Sequence, residues 1–257
     1  MAVGERDFDA LIEEASREPT DGWDFSWLDG RATEERPSWG YARLLAQRIA
    51  SCTTALDLQT GGGEVLSEVL AATETRPDRV VATEGWPPNA VLARGRLTRF
   101  GVDILEIADS ADVPCESNFF DLVTSRHPSA VRWDEIARVL RPGGTYFAQH
   151  VGAGSNRALG EFIHGPLPVN EGRTPASAVT QAEAVGLAVV DIREEWLQVE
   201  FLDVGAVTYF LRKVVWTVPG FDVTQSLERL RQLHDVIQQE GRFVSHASRF
   251  LIEARRP

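Results

Sequence analysis

Lysine is nearly missing from this chain: Lys213 is the only one among 257 residues, so almost all basic charge is carried by arginine. Schiff-base chemistry on a lysine is therefore not expected. Cysteine is equally scarce. Cys52 and Cys115 lie far apart, outside any CxxC or His-rich spacing, so neither a disulfide framework nor a zinc site is indicated and two small buried hydrophobes are expected. No metal is expected. Positive charge is in deficit, with 26 basic against 38 acidic residues and a net charge of −12, which disfavours nucleic acid as a partner. No apolar run approaches the roughly 18–20 residues of a membrane span. The opening Met1-Ala2-Val3-Gly4-Glu5-Arg6-Asp7 has no signal-peptide profile, so a cytoplasmic protein is expected and no membrane partner.

What is present is alternation. Residues 1–50 are acidic and aromatic and end in a helical pattern from Pro37, with Tyr41, Leu44, Leu45 and Ile49 at helical spacing; they read as an N-terminal helical cap. From Thr54 onward short apolar strands (54–59, 79–84, 102–107, 119–125, 144–151) alternate with helices (64–73, 88–99, 133–140). That order predicts a parallel sheet buried on both faces. A helix ending at Gly186 and a sixth strand at 187–195 follow. Two further helices, one capped by Asp203 and one over 223–240, read as an insertion spanning 203–241 before a final strand in "HASRFLIEARRP". The expectation is one globular α/β unit, with the main domain over 51–257.

The densest signal is "ALDLQTGGGEVL" (55–66), where a strand hands over to a helix through Gly61, Gly62 and Gly63. Glu84 ends the second strand, 27 residues after Asp57. In a doubly wound sheet, ligands sit at the carboxyl ends of the strands beside the switch point. A carboxylate there accepts both hydroxyls of a ribose through charge-assisted bonds. A dinucleotide would need G-x-G-x-x-G, but from Gly61 the third glycine position is Leu66, and from Gly62 the second is Glu64. That frame fails.

A different family fits. "LDLQTGGGEVL" resembles the "LDLGTGTGxxL" motif of class I S-adenosylmethionine (SAM) dependent methyltransferases. "IADSADVPCESNFFDLVTSR" (107–126) resembles that family's "GDAxxLPFxDxSFDxV", and "ARVLRPGGTYF" (137–147) its "xRVLKPGGxxx". The likeness covers about residues 50–150, and is nearest to a bacterial branch with an aromatic N-terminal segment and a helical insertion before the last strand. It implies a Rossmann-like, seven-stranded, mostly parallel sheet whose last strand is antiparallel. It also implies SAM as methyl donor and S-adenosylhomocysteine (SAH) as product. Gln59 departs from the pattern, standing where the family has its first glycine.

Carried over by position, the expected cofactor residues are Asp57, Gln59, Thr60, Gly61, Gly63, Glu84, Gly85, Trp86, Asp109, Ser110 and Ser125. Asp57 reads equally as a structural acid for the glycine turn, and Trp86 as plain surface cover. Tyr41, Arg126, Tyr209 and Trp216 are expected beside the acceptor. Tyr41 alternatively packs α-helix on sheet, and Arg126 alternatively pairs with one of the many acids. His127 and His150, ending the fourth and fifth strands, are the expected general bases. Each alternatively bonds only local backbone. The expected reaction is methyl transfer to an O or N nucleophile of a small molecule. The alternatives are RNA or protein methylation and a SAM-binding protein without catalysis.

Overall fold

The structure, a computed structural model, describes residues 7–20 and 22–257. Its strands are β1 (Ala32–Glu34), β2 (Thr54–Leu58), β3 (Arg79–Glu84), β4 (Asp103–Glu106), β5 (Phe120–Arg126), β6 (Leu140–Val151), β7 (Ala188–Phe201) and β8 (Phe243–Arg255). The helices are α1 (Phe8–Arg17), α2 (Tyr41–Ile49), α3 (Glu64–Ala72), α4 (Pro87–Leu97), α5 (Trp133–Val139), α6 (Arg157–His164), α7 (Pro175–Ala184), α8 (Val204–Lys213) and α9 (Leu227–Glu240). Hydrogen bonding orders the strands β1-β7-β8-β6-β5-β2-β3-β4.

Contacts group the chain into two compact units, where a single unit with a boundary near residue 50 is expected from sequence. The larger comprises 37–153, 171–195 and 249–257; the smaller comprises the described residues up to Arg36, with 154–170 and 196–248. In the larger unit β2, β3, β4, β5 and β6 are parallel, with Leu56 opposite Val81 on one side and Val123 on the other. The last strand, β8, runs antiparallel to β6, as expected. Side-chain alternation splits the sheet into two apolar faces. Leu56, Val81, Val123 and Ile252 join α5 and α7 through Trp133, Ile136, Ala178 and Ala182. Ala55, Val80, Leu122 and Phe147 join α2, α3 and α4 through Leu45, Ile49, Leu66, Leu70 and Leu97. The fold is α/β and Rossmann-like.

In the smaller unit α1, α6, α8 and α9 enclose their own core, with Leu11, Leu159, Val207, Leu211, Leu230 and Ile237 buried together. Here β1 pairs antiparallel with the end of β7, Ala32 opposite Phe201. It is the eighth strand of the sheet, and its three residues are too few for a period-two pattern to register. Two expected bounds shift. β7 runs to Phe201, past the expected end at 195. α9 starts at Leu227 because residues 222–226 form a turn, in which the Asp222 carboxylate accepts from the Gln225 amide at 2.8 Å. The Asp203 cap forms as expected, its side chain accepting from the Ala206 amide at 2.8 Å.

Candidate active site

The glycine turn leaves β2 beside β3. Thr60 extends the pairing by donating its amide to the Thr83 carbonyl at 2.9 Å, and Gly61 then donates to Glu84 Oε2 at 2.8 Å. The other carboxylate oxygen, Oε1, accepts the Trp86 amide at 2.9 Å. Glu84 is 7% exposed, so its ionised form is held by backbone rather than by water. Burial raises its pKa; the Trp86 and Gly61 amides pull it back, and the Asp109 charge pushes it further up. Asp57, also buried, is pushed up to about 7 by burial first and then by the Glu84 charge, against the Thr60 hydroxyl.

The glycines answer packing demands. Gly63 caps α3 at φ +79°, and a Cβ there would meet Leu97 Cδ1 at 2.9 Å and the Ala93 backbone at 3.3 Å. A side chain would separate α3 from α4. At Gly85, a Cβ would lie 2.8 Å from Asp109 Oδ1 and 3.1 Å from the Ile107 carbonyl oxygen. Glycine is what lets Asp109 approach the end of β3. Beyond the turn, Glu64 is held by Arg96, which also bonds the Gly62 carbonyl, each at 2.7 Å.

Opposite the turn runs the loop after β5, residues 127–131. Gln59, at φ +56°, crosses to it: its Nε2 donates to the Ala130 carbonyl at 2.6 Å and its Oε1 accepts the Ser129 amide at 2.7 Å. Ser129 in turn donates its hydroxyl to Asp109. A cleft lies between, lined by Gln59, Thr83, Asp109, Ser125, Pro128 and Ala130 among others. Ser125 spends its hydroxyl on the Leu58 carbonyl at 2.9 Å, tying β5 to β2. The Ser110 carbonyl accepts Arg132 at 2.6 Å. Trp86 immediately precedes α4, with 38% of its surface exposed.

Both histidines differ from their expected role. Trp39 Nε1, which can only donate, bonds Gln149 Oε1 at 2.8 Å and so turns the Gln149 amide nitrogen to His127 Nε2, 2.8 Å away. His127 Nε2 must accept, which places its proton on Nδ1 and leaves no free lone pair. Burial, followed by the charges of Arg126 and Arg249, holds its pKa well below the usual imidazole value. His150 is buried beside the Tyr146 hydroxyl at 3.0 Å, and burial brings it down to about 3. Neither is poised to take a proton.

Tyr41 is likewise committed elsewhere. Its ring stacks on Phe147 at 5.3 Å, and its hydroxyl lies 2.7 Å from Thr124 Oγ1 and bonds the Ser125 carbonyl at 3.1 Å. It fastens α2 to the sheet. Tyr209 and Trp216 belong to the smaller unit, with their rings 4.7 Å from Trp27 and 5.6 Å from Trp23. Arg126 ends β5 and is exposed. Ser129, Gln149 and Arg173 belong to no sequence motif and gain their places only through tertiary contacts, with Asp109, His127 and the Pro128 carbonyl respectively. No group of three or more His, Cys, Asp or Glu among the described residues is arranged to hold a metal.

Residues 56–148 match the model of a methyltransferase domain family. Over this stretch, from β2 to β6, the chain is similar to methyltransferase domains. Solved structures share its fold. A protein of Bacillus halodurans proposed to be a methyltransferase is 18% identical, with 83% of this chain and 98% of that one covered at a TM-score of 0.58. YcgJ of Bacillus subtilis is also 18% identical, at 84% and 97% coverage and a TM-score of 0.59. The cyclase SpnF is 15% identical, at 97% and 93% coverage and a TM-score of 0.52. No curated protein sequence matches the chain.

The end of β3 offers the acceptor that the ribose of a SAM molecule would need. A carboxylate has about four acceptor positions, and two amides leave Glu84 room for two ribose hydroxyls. Asp109, next to Gly85, would take an amino group of the base, and the α3 N-terminus with Asp57 would face the amino-acid end.

Proposed function

We propose that this domain transfers a methyl group from SAM to an O or N nucleophile of a small molecule. The observation that carries the reading is the buried Glu84 carboxylate, fixed by the Gly61 and Trp86 amides at the end of β3. When bound, SAM supplies an activated methyl on a sulfonium. The protein's share is to hold the acceptor in line and exclude water, which accounts for large rate factors without a strong base. Because His127 and His150 are held neutral and already bonded, alignment is proposed to dominate over proton abstraction. The net charge of −12 favours a small acceptor over RNA.

A second reading is cofactor binding without methyl transfer. It is favoured by Gln59, whose amide is committed to Ser129 and Ala130. SpnF, named a cyclase, has this fold too. Isothermal titration with SAM and SAH tests the common part. Glu84→Ala should weaken SAM binding by about 1.5–3 kcal/mol, the range for bonds to a charged group. The fold should survive, because the residue ends its strand. Unchanged affinity would remove the nucleoside argument, and tight SAM binding with no turnover on any O or N acceptor would favour the second reading.

A further inference from the structure

Arg173 lies beside the loop that leaves β5, partly buried and without an acid. Its Nη2 donates to the Pro128 carbonyl at 3.0 Å, and its own carbonyl accepts the Ala153 amide at 3.1 Å. No carboxylate among the described residues pairs with it, and burial alone lowers its pKa. A desolvated guanidinium without a counter-charge is unfavourable unless an anion completes it.

Two more arginines share this end of the sheet. Arg126 is the last residue of β5, in register with Gln149 of β6. Arg249 of β8 is 9% exposed and stands opposite Val151, the last residue of β6. All three charges act on His127, which sits among them. This group of arginines lies in a chain of net charge −12. It adjoins the cofactor cleft directly. Pro128, whose carbonyl Arg173 bonds, is itself a wall of that cleft, and the same loop is tied from the other side by Gln59.

We propose that Arg173, together with Arg126 and Arg249, binds an anionic group on the methyl acceptor, a carboxylate or phosphate of a small molecule. The planar guanidinium fork matches both anions and orients them, as in-line transfer requires. This rests on the methyltransferase reading, so the test separates the two.

Inorganic phosphate and malonate are titrated calorimetrically into the wild-type protein, with and without SAH, and SAH affinity is measured in parallel. The wild type should bind at least one anion at millimolar concentration, more weakly as salt rises. Arg173→Gln and Arg126→Gln should each weaken it about tenfold or more, while SAH affinity stays within a few-fold. Arg173→Lys keeps the charge, should retain part of the binding, and controls for folding by its thermal transition. Binding of neither anion by the wild type overturns the proposal, as does an Arg173→Gln variant that binds anions normally. Loss of SAH affinity alongside anion binding in Arg173→Gln would show a strut for Pro128 instead, and also overturns it. Failure of the wild type to bind SAH refutes the methyltransferase reading, while the anion titration without SAH still decides this one.

Discussion

Gln149 shows how much one side chain settles here. Buried to 3% exposure, it receives the Trp39 indole on its oxygen and gives its nitrogen to His127. The donor-only indole fixes the amide, and the amide fixes the imidazole tautomer. Nitrogen NMR at neutral pH should therefore show His127 protonated on Nδ1 and unprotonated on Nε2; the opposite tautomer would break this chain of inference. Trp39→Phe keeps a smaller aromatic ring and orphans the Gln149 oxygen, and should cost at least about 1–3 kcal/mol in urea unfolding. Nothing in "SWGYAR" or "AQHVG" announces this pairing, because the two stretches lie 110 residues apart. Glu84 is the contrary case. A carboxylate closing an apolar strand has no packing value, so its position already speaks of a ligand.

At the scale of the element, caps and glycines were legible because their demands are local. Asp203 begins α8 by accepting from Ala206, as a cap must, and its carboxylate also forms a fork with Arg31 Nε and Nη2, both at 2.8 Å. The ion pair is long-range and could not be read beforehand. It is nonetheless mostly buried, with side-chain exposures of 11% and 14%. Asp203→Ala should therefore cost more than a cap alone, about 2 kcal/mol or above in chemical denaturation. Asp203→Asn keeps the cap and should fall between. Equal stability of Asp203→Ala and wild type would show that Arg31 finds another partner, such as Glu14 at 3.1 Å.

For the whole chain, buried ionisable groups set how stability varies with pH. His150 resists protonation down to about 3 when folded, whereas an unfolded histidine gains its proton near pH 6.5. Its contribution is present above that value and is lost on acidification. Asp57 has the opposite sign. Raised from 3.8 to about 7, it keeps its proton in the fold over a range where the unfolded acid is ionised, so acidification through that range stabilises. Between pH 6.5 and 5, His150→Leu should gain about 1.4 kcal/mol per pH unit relative to wild type, and Asp57→Asn should lose about as much. Urea midpoints at the two pH values measure both, and parallel profiles for wild type and variants would refute the assignment.

The sequence by itself determined the alternating strands and helices of residues 54–151, the glycine turn and Glu84, because each is a property of consecutive residues or of one motif. Asp203 as a cap came from the same source, whereas the antiparallel last strand was implied only by the family resemblance. Tertiary structure alone decided three further matters. It showed that Gln59 reaches 71 residues away to Ala130, and that His127 spends its lone pair on Gln149. It also gathered Arg126, Arg173 and Arg249 from three separate segments to one end of the sheet. The division follows from range. Backbone periodicity and capping are written in neighbours, whereas a hydrogen-bond partner or a charge cluster exists only once strand order has brought distant residues within a few ångströms.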